Sequence, residues 1–473
     1  MPFISIAFAS FYSVTVLLYY VFKRNYKWQN ILLLLASYVF YAYWDWRFLG
    51  LLILSGIVNF CAGKIISLNE DPSRRKIWLS LSLLYNLLIL GIFKYFNFFE
   101  DSLLRMFGMF GLKIDAVTLT IILPLGISYY TFQSLSYPLD IYRRKLNPIK
   151  SILDFSLFTS FFPTIVSGPI ERANHLLPQI QGPRTIDISK INTGLFLIIW
   201  GCFQKLVIAN NMGLVADQIF NNYGQYHGLD IIAGVLAFTI QIFCDFSGYT
   251  DIARGIAQLL GFDLFLNFRA PYFAKNPADF WGRWHISLSS WLRDYLYIPL
   301  GGNRKGKLRT YFNLLLTMAI CGLWHGAAWN YIIWGMYHGV LLCIYRVSDV
   351  GLGADIKSDH PVSPFVNLSK ILLMFILVSA GWAIFRSTSF NEIVYIFTNL
   401  NFSTSINTAE FFIKIGFFGV LAVFVHILQY RDDNYHLITS LNPWIFGMIL
   451  GVIIIAIIIF APREVARFIY QGF

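Results

Sequence analysis

Two histidines, His285 and His325, are the residues best suited to acid–base chemistry. His325 lies in Gly322-Leu-Trp-His-Gly-Ala between two apolar runs, where an ionisable side chain is costly and therefore marks a functional candidate. Trp324 could exclude water, and the small residues beside it would let a helix or a substrate approach closely. A neutral imidazole there could accept a proton from a hydroxyl group. The alternative is a histidine that satisfies a break between two helices.

His285 lies in Phe280-Trp-Gly-Arg-Trp-His-Ile-Ser-Leu-Ser. Apolar and aromatic residues recur at helical spacing from Pro277 to Arg293, which predicts an amphipathic helix lying flat at headgroup depth. Taken alone, this context favours an interfacial histidine over a functional one. His338 is a further candidate, for which a structural role is favoured.

Two other features are a basic segment and one further histidine. The segment 301–309 has four basic residues, including Arg304, and three glycines. It could hold anionic lipid or a phosphate-bearing substrate, or it could be a plain cytoplasmic turn. His426 lies inside an apolar run and is interpreted as a hydrogen-bonded core histidine.

The composition predicts the elements that must position these residues. Of 473 residues, 57% are hydrophobic and only 13% are charged, about half the charge of a soluble domain. This excludes a soluble enzyme, a disordered chain and a disulfide scaffold, and long continuous runs favour helices over a barrel. Runs long enough to cross a membrane lie near 3–22, 29–46, 48–66, 77–99, 116–137, 191–209, 231–250, 309–324, 329–346, 370–385, 411–430 and 443–461.

The sequence thus predicts an all-α polytopic membrane protein with about 11–12 transmembrane helices. A shorter apolar stretch, 152–166, contains Pro163 and is interpreted as re-entrant or buried against protein. The net charge of +11 is interpreted as Lys and Arg held on the cytoplasmic side. Basic loops follow the first, third and fifth runs, which predicts that the N-terminus is extracytoplasmic. Twelve spans would place the C-terminus there too.

Several motifs together resemble the membrane-bound O-acyltransferase (MBOAT) family, in particular its bacterial branch of alginate and peptidoglycan O-acetylation and teichoic-acid D-alanylation proteins. The two histidine motifs are joined by Trp291-Leu-Arg-Asp-Tyr-Leu-Tyr-Ile-Pro-Leu-Gly-Gly-Asn-Arg304. Leu123-Pro-Leu-Gly-Ile-Ser-Tyr-Tyr-Thr-Phe-Gln133, Ser167-Gly-Pro-Ile-Glu-Arg172 and Asp245-Phe-Ser-Gly-Tyr-Thr-Asp251 are similar as well. The similarity is greater to the O-acetylation proteins. The family commonly has two basic residues before Trp-His, where this chain has Gly282 and Arg283.

The resemblance implies a single integral-membrane domain over 1–473, with a motif-bearing core at about 120–345 and C-terminal spans and an aromatic tail over 366–473. It also implies a central tunnel, surrounded by transmembrane, re-entrant and interfacial helices, where a cytoplasmic acyl donor meets an extracytoplasmic acceptor. The expected donor is acyl-CoA, in particular acetyl-CoA, with no bound cofactor and no metal. The expected location is the bacterial inner membrane, and the expected partner is an extracytoplasmic hydrolase-like acyltransferase that modifies the polymer.

The resemblance makes His325 the main catalytic histidine and His285 the second. His325 would take the hydroxyl proton and pass it to the leaving thiolate, while His285 could orient the thioester or donate to the oxyanion. Weaker candidates for the pocket are Trp324, Asn330, Ser287, Arg304, Gln133 and Asp245.

Tyr470 is a candidate acyl acceptor, since it lies between Phe468 and Phe473 and resembles the C-terminal aromatic–tyrosine motif of related acylation systems. The alternative is a plain aromatic tail at the membrane interface.

The enzyme hypothesis competes with two others. A transporter or flippase for a lipid-linked or acyl substrate fits the same composition and the same intramembrane histidine. A membrane scaffold for polymer export is a third possibility. The chemical distinction is that only a transferase requires the imidazole of His325.

Overall fold

The regular structure of the described residues is helical. The computed structural model describes residues 1–112, 121–351, 363–432 and 435–462, and the regular structure in these ranges consists of helices. In hydrocarbon, backbone amides must hydrogen-bond within their own segment, and a helix provides this. The prediction of an all-α polytopic membrane protein is confirmed.

The helices are numbered in chain order. The first ten are α1 (Ile6–Val21), α2 (Tyr26–Asp45), α3 (Leu49–Leu68), α4 (Pro72–Leu90), α5 (Phe96–Met109), α6 (Ile127–Tyr142), α7 (Ile152–Ser160), α8 (Phe162–Ile165), α9 (Ala173–Ile180) and α10 (Ile188–Phe203). The others are α11 (Asn210–Phe220), α12 (Leu229–Leu259), α13 (Pro277–Trp281), α14 (Ile286–Leu292), α15 (Lys307–His325), α16 (Trp329–Gly351), α17 (Pro364–Arg386), α18 (Phe390–Thr398), α19 (Thr408–Arg431), α20 (His436–Thr439) and α21 (Pro443–Phe460). Short π-helical segments lie at Gly91–Tyr95, Gln204–Ala209 and Arg293–Tyr297, and 3₁₀ turns at Trp46–Phe48, Tyr223–Gln225 and Pro271–Phe273.

Seven helical stretches among the described residues are long and apolar enough to cross a membrane. Some contain two helices in succession: Tyr26–Leu68 comprises α2 and α3, each of 20 residues, and about 20 residues span the hydrocarbon core. The stretches are Tyr26–Leu68, Pro72–Met109, Ile188–Phe220, Leu229–Leu259, Pro364–Arg386, Thr408–Arg431 and Pro443–Phe460.

The chain divides into two compact units. The first comprises Met1–Ile198 and Ile252–Phe265. Within it, α1 is tied to the end of α12, because the Tyr19 hydroxyl donates to the Leu260 carbonyl at 2.7 Å. The Pro163-containing segment forms the two short helices α7 and α8, whose meeting point at Phe161 is fully buried in protein.

The second unit comprises Ile199–Asp251 and Leu266–Phe473. Its closest helix contact is between α15 and α16, at Gly322 and Gly335. A Cβ atom added to Gly322 would lie 2.0 Å from the Tyr331 carbonyl oxygen, and one added to Gly335 would lie 2.1 Å from that of Met318. Only residues without a side chain allow this approach, which brings the end of α15 that carries His325 against α16.

The prediction of a continuous amphipathic helix over Pro277–Arg293 is wrong. The structure has two short helices, α13 and α14, separated by a break at 282–285. The aromatic residues expected at headgroup depth are buried instead: Trp284 is fully buried, and Trp281 and Trp291 are nearly so. The backbone at the break pairs with residues 267–269, and this pairing competes successfully with helix continuation.

Substituting Gly335 by alanine tests the contact between α15 and α16. The added methyl group must push the helices apart, and overpacking of this kind costs about 1–3 kcal/mol. We expect Gly335→Ala to lower the temperature above which heated, purified protein no longer elutes as one monodisperse peak. Gly447→Ala on α21 is the matched control, because its added Cβ meets nothing within 4 Å. Equal heat resistance of the two variants would contradict the described contact.

Candidate active site

The structure brings His285 and His325 together in the second unit. Their ring centroids lie 6.3 Å apart, although 40 positions separate them along the chain. Exposure is 0% for His285 and 2% for His325. His325 is the last residue of α15, while His285 immediately precedes α14. Two imidazoles at this distance can act on one small reacting group placed between or beside them.

Aromatic rings enclose this histidine pair. Trp324 contacts both rings from one side, with centroid distances of 5.9 Å to His285 and 5.1 Å to His325. Phe246 of α12 meets His285 edge-on at 4.7 Å. Trp334 of α16 and Phe385 of α17 meet the His325 ring edge-on at 5.2 Å and 5.6 Å. Such walls exclude water and fix the orientation of the imidazole planes.

The backbone at His285 is in the left-handed region, with φ +43° and ψ +54°. It is held there by a paired segment: the Arg269 amide donates to the Arg283 carbonyl and the Ile286 amide donates to the Asn267 carbonyl, each at 3.0 Å. Ala270, in that segment, also has φ +43°. Left-handed non-glycine residues cost free energy and cluster at functional sites. His285 and Ala270 are two such residues on paired segments, which marks the break before α14 as a candidate functional element.

His285 is neutral at physiological pH. It lies outside the seven membrane-crossing stretches, and its complete burial lowers the pKa of its imidazole to about 3. Neither ring nitrogen has a hydrogen-bond partner among the described residues. A neutral imidazole carries one N–H donor and one acceptor nitrogen, so this ring can donate a hydrogen bond to a substrate while it stays uncharged.

A cavity of about 360 Å³ lies beside the histidine-bearing segments. Its wall includes Ile286, the residue after His285, and Cys321, which lies one helical turn before His325 on α15. The wall is mainly apolar, and the hydroxyl of Thr317 has no partner among the described residues. The lining residues are Ala278, Trp281, Gly282, Ile286, Ser289, Ser290, Leu292, Arg293, Tyr297, Leu314, Thr317, Met318, Cys321 and Leu342. This space suits an elongated, largely apolar ligand with a few amide groups.

Three weaker candidates in this unit have other surroundings. Asn330 donates to the Phe385 carbonyl at 3.1 Å and so holds a ring that contacts His325. Ser287 is buried, and its amide donates to the Asn267 side chain at 3.2 Å. Arg304 lies in an exposed turn and donates to the Ile298 carbonyl.

Gln133 and Asp245 make contacts that explain their burial. Gln133, in the first unit, donates to the Phe158 carbonyl and thereby joins α6 to α7. Asp245, in the second unit, pairs with Lys205 of a π-helical segment, and both side chains are at most 5% exposed. A buried charge pair on membrane-crossing helices is expensive unless it is well paired.

His338 and His426 are buried in surroundings of their own. His338 is buried among Phe280, Trp281 and Trp334, with its ring parallel to that of Phe280. Nδ1 of His426 lies 3.0 Å from the Ala422 carbonyl oxygen, in agreement with a hydrogen-bonded core histidine. Tyr470 lies outside the described residues.

Sequence reasoning missed much of the enclosure. Phe246, Trp334 and Phe385 come from three separate helices. Phe246 lies within the family-like motif Asp245–Asp251, which did not show that its ring would contact His285, and nothing in the local sequence distinguishes Trp334 or Phe385 from other buried aromatics. Asn267 carried no motif. Lys205 did carry a signal that could have been used, because a lysine inside the apolar run 191–209 is itself unusual.

Comparisons with known proteins identify a matching family and several relatives. The model of the membrane-bound O-acyltransferase family matches residues 143–351, a range that contains both histidines and the cavity. The probable alginate O-acetylase AlgI of Pseudomonas putida is 42% identical over 373 residues, covering 78% of this chain and 74% of that protein. The peptidoglycan O-acetyltransferase of Helicobacter pylori is 35% identical over 392 residues, covering 77% and 72%. The teichoic acid D-alanyltransferase of Bacillus subtilis is 32% identical over 298 residues, covering 57% and 70%.

These findings define a multi-pass membrane enzyme that transfers acyl groups to oxygen. The chain belongs to the membrane-bound O-acyltransferase family. The predicted resemblance is confirmed, and the identities are higher with the two O-acetylating relatives than with the D-alanylating one.

The left-handed backbone at His285 gives a test of the local geometry. Both His285→Gly and His285→Ala remove the imidazole, but only glycine adopts φ +43° without strain. We expect His285→Gly to be more stable to unfolding than His285→Ala by about 1–2 kcal/mol. At His338, in the interior of α16, the order should reverse by about 1 kcal/mol, since glycine weakens a helix. Heat-unfolding curves of the four purified variants measure both differences, and the same order at both positions would contradict the described break.

Proposed function

We propose that this protein transfers acetyl from cytoplasmic acetyl-CoA towards the hydroxyl groups of an extracytoplasmic polysaccharide or peptidoglycan. The proposal rests on the pair of buried imidazoles, which lie 6.3 Å apart, are enclosed by aromatic rings and are carried by segments whose neighbouring residues line a cavity. The O-acetylating relatives, whose names specify alginate and peptidoglycan, support the acyl group and the class of acceptor.

His325 is proposed as the general base. Its imidazole accepts the proton of the attacking hydroxyl while the oxygen bonds to the thioester carbonyl carbon. When the tetrahedral intermediate collapses, the carbon–sulfur bond breaks and His325 gives the proton to the departing thiolate. The products are an oxygen ester and CoA thiol, with no net release of protons. The rings of Trp334 and Phe385 keep this imidazole in one orientation throughout.

His285 is proposed to stabilise the oxyanion. Burial keeps its imidazole neutral, so one ring nitrogen carries a proton that it can share with the negatively charged oxygen. A water-poor enclosure strengthens such a hydrogen bond because few other dipoles screen the charge. The left-handed backbone fixes where this donor points.

The cavity beside α14 and α15 is proposed to receive the donor. The pantetheine arm of CoA is a narrow chain with two amide groups, which matches apolar walls interrupted by Ser289, Ser290 and Thr317. Arg293 lies on the wall and, together with the exposed basic turn that contains Arg304, offers positive charge to the CoA phosphates. No metal is required in this scheme, because the hydroxyl is activated by an imidazole.

The acceptor side is proposed from the sequence. Tyr470 would take the acetyl group first and pass it to an extracytoplasmic hydrolase-like acyltransferase that modifies the polymer. This route needs the protein in the bacterial inner membrane with its C-terminus extracytoplasmic. The basic loops predict an extracytoplasmic N-terminus, and twelve spans would place the C-terminus on the same side.

Matched histidine variants test the enzyme proposal. In nanodiscs with radiolabelled acetyl-CoA and the purified partner, we expect His325→Gln to lower acetyl transfer by about 10²–10⁴-fold, the usual contribution of a general base. Glutamine could still donate to the oxyanion through its side-chain amide, so the second variant is His285→Ala, which should lower acetyl transfer by about 10²–10³-fold, as for the loss of an oxyanion donor. His426→Gln is the control, because it changes another buried histidine of the same unit that has its own backbone partner.

The same assay separates the enzyme from its rivals. A transporter would retain activity in His325→Gln, and a scaffold would show no turnover of acyl-CoA in any variant. Full acetyl transfer by His325→Gln at unchanged protein stability would contradict the proposed chemistry.

The tyrosine relay has a separate test in cells. Tyr470→Phe removes only the acceptor oxygen, so we expect polymer-bound, alkali-labile acetate to fall to the level of His325→Gln. Tyr430→Phe is the matched control, since Tyr430 lies exposed on α19. Full acetylation by Tyr470→Phe would show that the partner takes the acetyl group directly.

A further inference from the structure

The side chain of Asn267 is bound to the backbone that follows His285. Its Oδ1 accepts the Ser287 amide at 3.2 Å, and its own carbonyl accepts the Ile286 amide at 3.0 Å. Asn267 is 1% exposed. Two groups of one residue therefore satisfy the first two backbone amides of α14.

These amides are the ones that a helix cannot satisfy within itself. The residue preceding a helix usually supplies this cap through its own side chain, from an extended backbone conformation. His285 occupies that position at α14, but its backbone is left-handed and its side chain makes no cap hydrogen bond. Asn267 thus caps the helix from a distant segment, and the imidazole of His285 is released from that task.

The segment that carries Asn267 is itself fixed. The ring of the next residue, Phe268, packs against Phe246 at 5.1 Å and Trp284 at 4.9 Å. The Ala270 amide donates to the side chain of Gln429, which in turn donates to Ser247. An acceptor mounted on such a segment can hold α14 in one register.

We propose that Asn267 is a positioning residue for His285. By capping α14 in place of the histidine, it keeps the His285 imidazole against Phe246 and beside His325. The proposal rests on the function proposed above, in which His285 stabilises the oxyanion. Asn267 itself touches no reacting atom in this scheme.

Asn267→Ala removes the side-chain acceptor and should release α14 from its register. Displacing the imidazole that donates to the oxyanion weakens stabilisation of the transition state more than it weakens binding of acetyl-CoA. We therefore expect kcat for acetyl transfer to fall about 10–100-fold, while KM for acetyl-CoA changes less than threefold. Asn267→Gln retains an uncharged amide oxygen that can accept from the Ser287 amide and should recover part of kcat. If Asn267→Ala does not fold, Asn267→Ser carries the same test, since its shorter side chain cannot reach that amide.

Coupling to His285 distinguishes positioning from general stability. In a His285→Ala background, Asn267→Ala should lower kcat no further, because the group that it positions is already gone. Asn276→Ala is the matched control: it removes the side-chain cap of the neighbouring helix α13, and its effect should add to that of His285→Ala.

Each outcome has a separate meaning. An additive effect of Asn267→Ala in the His285→Ala background would overturn the positioning role while leaving the enzyme proposal intact. Full activity of His285→Ala alone would overturn both this inference and the proposed role of His285. Loss of activity in His325→Gln would still support the general base.

Discussion

The close contact between α15 and α16 is the constraint on which the site depends. Gly322 and Gly335 let the two helix backbones touch, so the last turn of α15 lies directly against the aromatic face of α16. His325 is thereby placed against Trp334 at a fixed distance. Within a membrane, helices gain little from hydrophobic burial against one another, so such shape-dependent contacts decide which side chains meet.

Enclosure gives the second histidine its chemical character. In water an imidazole titrates near neutral pH, but complete burial lowers the pKa of His285 to about 3. The ring therefore stays neutral and keeps one N–H available without becoming a cation. A left-handed backbone and a remote asparagine cap hold it in place. The strain at this one residue is consistent with the general observation that unfavourable backbone geometry is retained where it orients a functional group.

The sequence predicted the fold class and the two histidines for different reasons. Membrane helices follow from composition, since a long apolar run has few other stable structures. His325 followed from an ionisable group between apolar runs, while the importance of His285 depended on its resemblance to a family. The prediction of an interfacial helix was wrong because the periodicity of a sequence does not reveal backbone pairing between distant segments, here residues 267–269 and 283–286. Asn267 could not be found for the same reason: its contacts depend on tertiary structure, and its local sequence is ordinary. Phe246 lay within a family-like motif, but that motif did not reveal its contact with His285.

The most direct measurement is a cryo-electron microscopy structure with an unreactive thioether analogue of acetyl-CoA. We expect density for the pantetheine arm in the cavity lined by Ser290, Thr317 and Cys321. We also expect the acyl end to reach the imidazoles of both His285 and His325. Density for a bound analogue whose acyl end lies away from both histidines would contradict the claim that this pair forms the acyl-transfer site.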